Sequence, residues 1–329
     1  MPENEDRTWP TSQLRLPTIA DIRAAREFLS SVIVRTPLLR LQADGGHADI
    51  YLKLEDLQPT GSFKVRGAGN ALLSGDRSRL KDGVWTASAG NMGQALAWHA
   101  RRIKVPCTVI VPDDAPDVKV EAIGRMGARI IKVPFPEYQS IQREGGFSGA
   151  QGSLIHPFAN AAVMAGNGTI GLEILEDLPD ADIVLVPYGG GGLICGIAAS
   201  IKASRPKVRV EAVEAATATP ITSSLSAGKP VQVPYKASFI SGIGAPFVFP
   251  QMWPLAEHLL DGAQAVELEE VVRAIRLLAE RHHVIAEGAG AVALAAALKQ
   301  PPGRKVVCVV SGGNIDTGQL VTILNGGLP

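Results

Sequence analysis

The sequence predicts an α/β fold built on parallel β-sheets, and three observations support that prediction. Short runs of apolar and β-branched residues recur along the 329 residues, segments with helical periodicity lie between them, and 35 glycines punctuate the ends of the runs. Continuous apolar runs are typical of parallel strands, because helices cover both faces of a parallel sheet. Strand and helix alternate throughout, and the predicted strands are spread so widely that we expect two sheets.

The predicted elements can be placed in order along the chain. A capping-box signature, Thr18 followed by Asp21, predicts the start of the first helix. A second helix is expected over residues 92–100, and apolar residues at helical spacing between Leu268 and Leu278 predict another near the C-terminus. The predicted strands are residues 49–54, 84–87, 107–111, 128–133, 153–155, 183–186, 208–213 and 305–310.

Charge and cysteine content narrow the classes of partner. Lys plus Arg and Asp plus Glu both number 32, so no electrostatic feature for nucleic acid or an anionic membrane is present. Residues 1–17 are acidic and polar without an apolar run, which predicts a tail that is neither a signal peptide nor a membrane span. The three cysteines, Cys107, Cys195 and Cys308, are far apart and form no CxxC pair, so we expect a reducing compartment and a cytoplasmic protein.

A glycine-rich loop is the first candidate site. Residues 182–203, DIVLVPYGGGGLICGIAASIKA, place four consecutive glycines between a predicted buried strand and a helix. The N–H groups of such a loop and of the helix N-terminus can hold a phosphate. The dinucleotide pattern G-x-G-x-x-G is not met in any register. A mobile loop is the alternative, but four glycines cost backbone entropy, so we interpret the loop as a phosphate site.

Two further strand-to-helix junctions carry polar residues. Residues 86–91, TASAGN, offer free N–H donors to a carboxylate, although ordinary helix capping by Ser88 or Asn91 is the alternative. Residues 309–314, VVSGGN, repeat the pattern after the last predicted strand. Ligands of open α/β sheets bind at the carboxyl ends of the strands, so we expect the three junctions to open toward one sheet edge and form a cleft.

Lys64 is the candidate reactive residue. It lies within GSFKVRGA, residues 61–68, among small, turn-forming residues rather than on a solvated helix face. A lysine, a phosphate site and a carboxylate site together indicate pyridoxal phosphate chemistry on an amino acid, with Lys64 as the Schiff-base lysine.

Motifs along nearly the whole chain support that interpretation. They are KLEDLQPTGSFKVRGA (53–68), SAGN (88–91), HPFAN with AGNGTIGLEI (156–174), GGGGL (189–193), EGAGAVAL (287–294) and SGGN (311–314). With these motifs the chain resembles the fold type II pyridoxal phosphate enzymes, which are tryptophan synthase β-like. Within them it is most similar to the threonine/serine dehydratase and serine racemase family.

The resemblance implies a domain organisation. It implies two domains, each with a mostly parallel sheet flanked by helices, and the cofactor in the cleft between them. After the tail, residues 18–76 and 159–329 would form the large cofactor-binding domain, and residues 83–158 the small domain.

The resemblance also implies roles for individual residues. Lys64 would hold the cofactor covalently, Phe63 would pack against its ring, and Asn91 would bond its phenolic oxygen. Ser311 would place a neutral hydroxyl at the pyridine nitrogen, which favours loss of a β-leaving group over transamination. The phosphate would be bound by Gly189, Gly190, Gly191, Gly192 and Leu193, and the substrate by Ser88, Ala89, Gly90, Asn91, Met92 and Gly242.

Three departures from the family pattern concern the substrate. Ala89 replaces a second serine, which disfavours a two-base racemase. Met92 replaces a histidine, and Ile240-Ser241-Gly242 replaces Ala-Asp-Gly. These neutral residues predict a preference for apolar or aryl β-substituents over threonine, then serine, then 3-hydroxyaspartate. The alternative is that Met92 is packing and threonine is the natural substrate.

The resemblance also raises the question of a metal site, because members of the family often carry one near the cofactor. Glu214 matches its glutamate, but Pro220 stands where an aspartate is expected and cannot be a ligand. We therefore expect no metal.

The sequence predicts a pyridoxal phosphate-dependent ammonia-lyase that converts a β-hydroxy-α-amino acid, such as threonine, serine or a phenylserine, to a 2-oxo acid and ammonia. A racemase or a β-replacement synthase of the same fold is the alternative. A non-catalytic amino-acid-binding module is disfavoured because the lysine and the glycine loop are both present. We expect a small amino acid as partner, no nucleic acid or membrane, and a homodimer or higher homo-oligomer.

Overall fold

The computed structural model describes residues 14–42, 48–75 and 77–329. The predicted tail lies outside these ranges up to residue 13. The strands in the described part are β1 (Leu38–Arg40), β2 (Asp49–Leu54), β3 (Val84–Ala87), β4 (Cys107–Pro112), β5 (Arg129–Val133), β6 (Ser153–Leu154), β7 (Ile183–Pro187), β8 (Arg209–Ala215), β9 (Gly262–Val266) and β10 (Lys305–Val310). The α-helices there are α1 (Ile19–Leu29), α2 (Lys64–Leu73), α3 (Asn91–Arg102), α4 (Asp117–Arg125), α5 (Phe135–Glu144), α6 (Ala161–Asp177), α7 (Gly192–Ser204), α8 (Pro220–Ala227), α9 (Trp253–Leu259), α10 (Leu268–His282), α11 (Gly288–Ala297) and α12 (Thr317–Leu324).

Two sheets are present, as the sequence predicts. The large sheet has the order β1-β2-β10-β7-β8-β9, and all its neighbours are parallel except β1 with β2. The small sheet has the order β5-β4-β3-β6 and is fully parallel. The division into two domains at the predicted boundaries stays a prediction, although the strands of the small sheet all fall within residues 84–154.

Helices cover both faces of each sheet, which explains the continuous apolar strands. One face of the large sheet packs against α10 and α11, and the other against α6, α7 and α9. The small sheet packs against α3 on one face and α5 on the other. The predicted capping box is also present, because the Asp21 N–H donates to Thr18 Oγ1 and the Thr18 N–H to the Asp21 carboxylate. No helix in the described ranges is both long and apolar enough to cross a bilayer.

The sequence prediction missed two edge strands, β1 and β9. β1 has three residues, two of them exposed, and therefore shows no apolar run. β9 reads GAQAV, in which small and polar residues replace the large apolar ones of a central strand. Edge strands bury less surface than central strands, so their sequences carry a weaker signal.

The expectation that three junctions open toward one sheet edge is wrong. Residues 311–314 follow β10 and residues 189–192 follow β7, both in the large sheet, whereas residues 88–91 follow β3 in the small sheet. The cleft is therefore formed by the carboxyl ends of two sheets.

Candidate active site

Lys64 is the first residue of α2, at the carboxyl end of the large sheet. The turn before it is fixed by β10, because the Phe63 N–H donates to Ser311 O at 3.0 Å and the Gly313 N–H to Gly61 O at 2.9 Å. Gly61 has φ +69°, and a Cβ there would lie 2.5 Å from Asn314 Oδ1. The GSFK and SGGN motifs are therefore one structural unit.

The Lys64 side chain points into the cleft from this turn. Its Nζ donates to Pro157 O at 2.8 Å and lies 5.0 Å from the centroid of the Phe63 ring. Loss of hydration lowers the pKa of Lys64 to about 8, and the nearby Glu287 carboxylate opposes that shift. An amine with this pKa is partly unprotonated near neutral pH, which nucleophilic attack requires.

The segment that bonds Lys64 is held by His156. The Ala159 N–H donates to His156 Nδ1 at 3.0 Å, so Nε2 carries the proton and donates to Gln142 O, 3.1 Å away. Burial lowers the pKa of His156 to about 4, with the Lys64 charge as a smaller cause. The imidazole is therefore neutral and orients the Pro157 carbonyl.

The glycine loop begins α7 and is shaped for an anion. The N–H groups of residues 189–194 have no acceptor among the described residues, because they comprise the loop and the first helical turn. Gly191 has φ +86° at the N-cap, which a side chain would strain. A Cβ on Gly190 would lie 2.3 Å from the ring of Phe158, so that glycine is also required by protein packing.

The predicted polar partners of the cofactor ring lie beside Lys64. Ser311 is buried, and its hydroxyl is 3.4 Å from Ala289 O. Asn91, the first residue of α3, donates to Glu287 Oε1 at 2.8 Å and accepts from Asn314 Nδ2 at 2.8 Å. This network joins the two sheets across the cleft.

Glu287 is a site residue that sequence reasoning did not assign, although it begins the EGAGAVAL motif. Burial raises its pKa to about 7, and the Asn91 amide, Lys119 and Lys64 oppose that rise. Gly242, a predicted substrate contact, lies beside it, because a Cβ on Gly242 would be 3.5 Å from Glu287 Oε1.

The predicted carboxylate loop lies on the small-sheet side. The Ser88 N–H donates to Ile110 O at 3.0 Å, and Ser88 Oγ accepts from the Gly90 N–H at 3.3 Å. The Tyr138 hydroxyl lies near the Ala89 backbone and accepts from Gln142 Nε2 at 2.9 Å, contacts that sequence reasoning missed. Burial raises the pKa of Tyr138 to about 12, against the hydrogen bonds from Ala89 and Gln142, so the hydroxyl keeps its proton.

Met92 does not lie on the cleft as expected. Its side chain is 1% exposed and packs in the core of the small-sheet half with Ala95 and Leu96. Met92 therefore gives no support to an apolar substrate pocket, which is left to residues 240–242.

Glu214 caps a helix in this structure. Its carboxylate accepts from the Ile221 and Thr222 N–H groups, each at 3.0 Å, and from Thr222 Oγ1 at 2.9 Å. Burial raises its pKa to about 7, with those hydrogen bonds opposing the rise. Among the described residues no cluster of His, Cys, Asp or Glu with the makings of a metal site is found.

These residues fit pyridoxal phosphate. The cleft offers an amine of lowered pKa, a glycine cradle with free N–H groups, and a buried neutral hydroxyl at Ser311. Pro157 and Phe158 connect the amine to the cradle, because the first bonds Lys64 and the second packs against Gly190.

The chain belongs to the family of pyridoxal-phosphate dependent enzymes, whose family model matches residues 29–312. It is therefore an enzyme that uses pyridoxal phosphate, and its two helix-flanked sheets are those of fold type II.

Its relatives include two activities. The chain is 40% identical over 320 residues to an L-threonine ammonia-lyase of Thermotoga maritima, covering 94% of this chain and 79% of that one. It is 37% identical over 317 residues to a serine racemase of Dictyostelium discoideum, covering 94% and 98%. The solved structure of maize serine racemase superposes with a TM-score of 0.82 at 30% identity, covering 95% of this chain and 98% of that one.

Proposed function

We propose that this enzyme is an ammonia-lyase that dehydrates and deaminates a β-hydroxy-α-amino acid to a 2-oxo acid and ammonia. The observation that carries the proposal is Lys64, an amine of lowered pKa that bonds Pro157 O, next to the residue that packs against the glycine loop. The similarity to L-threonine ammonia-lyases supports threonine, with serine and phenylserine as further candidates.

Different residues of the chain are assigned to cofactor binding, substrate binding and proton transfer. Pyridoxal phosphate, when bound, withdraws electrons from the α-carbon. Lys64 would hold the cofactor, and its free amine would remove the α-proton of the substrate. N–H groups at the start of α3, by residues 88–91, orient the substrate carboxylate, and those of residues 189–193 hold the phosphate. Ser311 provides a neutral hydroxyl partner for the ring nitrogen.

Elimination then requires loss of the β-hydroxyl. The hydroxyl on the β-carbon takes up a proton and leaves as water. A second water molecule then adds to the α-carbon, and the nitrogen leaves as ammonia. The net reaction converts one amino acid to one 2-oxo acid and one ammonia without an oxidant.

Ala89 favours elimination over racemisation. Its methyl group cannot donate a proton to the face of the α-carbon opposite Lys64, where a two-base racemase needs an acid. The similarity to serine racemases makes this the alternative to exclude.

The test uses the purified enzyme loaded with pyridoxal phosphate. Incubation with L-threonine, L-serine or L-phenylserine should release 2-oxo acid and ammonia in equal amounts, with little D-amino acid. D-amino acid as the main product would identify a racemase. No product from any of these amino acids would refute the proposed function.

We also propose that the enzyme acts as a homo-oligomer in the cytoplasm, on a free amino acid rather than on a nucleic acid or a membrane. The zero formal charge and the three buried free thiols support this proposal. Exposed apolar side chains such as Leu57 and Val321, 49% and 53% exposed, would be covered in an oligomer. Light scattering of the purified holoenzyme tests the oligomeric state.

A further inference from the structure

A second lysine lies at the mouth of the cleft. Lys119, on α4 of the small-sheet half, reaches 122 residues along the sequence to the loop after Ile240, where its Nζ donates to Ser241 Oγ at 2.9 Å. Ser241 precedes Gly242, which lies beside Glu287. The contact therefore spans the cleft close to the candidate substrate site.

Lys119 is a cation with a neutral partner. An ammonium group has three donors, and the Ser241 hydroxyl takes one of them. In the part of the chain that the structure describes, no carboxylate forms an ion pair with Lys119, although Asp117 of the same helix pairs with Lys132. Ser241 is uncharged, so this contact leaves the positive charge of Lys119 without a neutralising partner.

The charge of Lys119 acts on the site itself. It opposes the burial-driven rise of the Glu287 pKa, and so does Lys64. Glu287 Oε1 in turn accepts from Asn91, the residue that begins α3. Lys119 is thus close enough for its charge to act on Glu287, which bonds one of the residues predicted to bind the amino acid.

We propose that Lys119 and Ser241 form an anion-binding subsite for the distal end of the substrate, selecting β-hydroxy amino acids that carry a second carboxylate, of the 3-hydroxyaspartate class. The proposal rests on the proposed function. The second carboxylate would accept from the two remaining ammonium donors and from the Ser241 hydroxyl, which are charge-assisted hydrogen bonds. The sequence-based expectation places 3-hydroxyaspartate last among the substrates. The proposal reverses that order, because Lys119 of α4 supplies a cation for the second carboxylate.

The test compares two substrates in one enzyme. Lys119→Gln removes the charge and keeps a donor, so the ratio of kcat/KM for L-threo-3-hydroxyaspartate to that for L-threonine should fall at least about tenfold, as loss of a charged hydrogen bond predicts. Ser241→Asp should lower the same ratio, because its carboxylate neutralises Lys119. Arg125→Gln is the control, since Arg125 is exposed on the same helix and pairs with Glu121.

The outcomes separate the subsite from the proposed function. A wild type that dehydrates threonine but not 3-hydroxyaspartate would overturn the subsite alone. An unchanged ratio in Lys119→Gln would also overturn it, and this includes equal losses with both substrates, which would place Lys119 at their shared amino-acid end. Failure of the wild type with every β-hydroxy amino acid would refute the proposed function instead.

Discussion

The two walls of the cleft are built differently. The large-sheet wall, residues 60–64, 189–193 and 311–314, is held by backbone hydrogen bonds and by glycines in close contact with other atoms. The small-sheet wall, residues 88–91 with Lys119 and Tyr138, makes side-chain contacts, and a Cβ on Gly90 would meet nothing within 4 Å.

This difference indicates which residues of the cleft tolerate substitution. A side chain added at Gly61, Gly190 or Gly192 of the large-sheet wall must displace neighbouring atoms, whereas one added at Gly90 of the small-sheet wall meets open space. We propose that the first wall holds the cofactor and the second, with Ser241 opposite, selects the substrate. Two departures from the family pattern, Ala89 and Ser241, lie where the substrate would be selected.

The largest expected effect is loss of Lys64. Lys64→Ala should lower kcat/KM for the preferred substrate at least about 10³-fold, because it removes both the cofactor attachment and the α-proton base. Lys119→Ala on the opposite wall should retain measurable turnover of threonine. Comparable inactivation of the two variants would contradict the division between the walls.

The next largest effect is expected at the contact between α3 and α2, where His99 of α3 packs against α2. Its Nε2 lies 2.8 Å from Val65 O, and burial lowers its pKa to about 4 from 6.5, with that hydrogen bond opposing and Arg102 assisting. The folded state thus binds fewer protons than the unfolded state between these pH values. Stability from this group is present above about pH 6.5 and is lost as the pH falls toward 4.

His99→Gln should remove this dependence. Between pH 7 and 4.5 the wild type should lose about 2–3 kcal/mol more unfolding free energy than the variant. Urea unfolding at both pH values, at constant cofactor concentration, measures the difference. His258→Gln, an exposed site on α9, is the control. If the unfolding free energies of the wild type and His99→Gln change equally with pH, His99 does not contribute to the pH dependence.

A smaller effect is expected at the glycine loop. Gly191→Ala fits the available space, because the nearest atom would be Met252 Cε at 3.3 Å, but it strains the backbone at φ +86°. A left-handed alanine costs about 1–2 kcal/mol, so cofactor affinity should fall roughly five- to thirtyfold.

Gly228→Ala is the matched control, since Gly228 has φ +64° and nothing within 4 Å. It carries the strain without touching the loop, and fluorescence titration with pyridoxal phosphate compares the two. Equal cofactor affinity in both variants would remove the loop from the proposed phosphate site. Gly190→Val is a poorer test, because its side chain would collide with Phe158.

The smallest effect concerns Tyr138 on the small-sheet wall. Its hydroxyl lies near the backbone of Ala89, where we expect it to compete with the substrate carboxylate for the Ala89 N–H. Tyr138→Phe should therefore lower KM for threonine about three- to tenfold with kcat unchanged, in keeping with one neutral hydrogen bond. Tyr51→Phe on β2 is the control. A higher KM would mean that the hydroxyl positions the loop rather than competing for it.

The position of the large-sheet wall follows from the sequence more directly than that of the small-sheet wall, and the roles of the residues in both walls stay predictions. Lys64, the glycine loop and Ser311 lie in short motifs whose geometry is set by neighbouring residues, so local patterns identify them. Met92 was placed on the cleft, but Met92, Ala95 and Leu96 share one helical face and all are buried. The helical spacing of these three residues already predicts that the Met92 side chain is buried.

Contacts between distant segments could not be predicted. The bond from Lys119 to Ser241 joins helix α4 to the loop after Ile240, and the Asn91 bond to Glu287 spans 196 residues. No local pattern encodes such a pairing, because it depends on how the two sheets are placed. For the same reason three similar junctions were assigned to one sheet edge instead of two.

The central claim is that Lys64 holds the cofactor in this cleft. Reduction of the holoenzyme with borohydride, followed by proteolysis and mass spectrometry, tests it directly. We expect one phosphopyridoxyl group, on the peptide that contains Lys64, and none in Lys64→Ala. A modified Lys119, or another modified lysine with Lys64 intact, would contradict it.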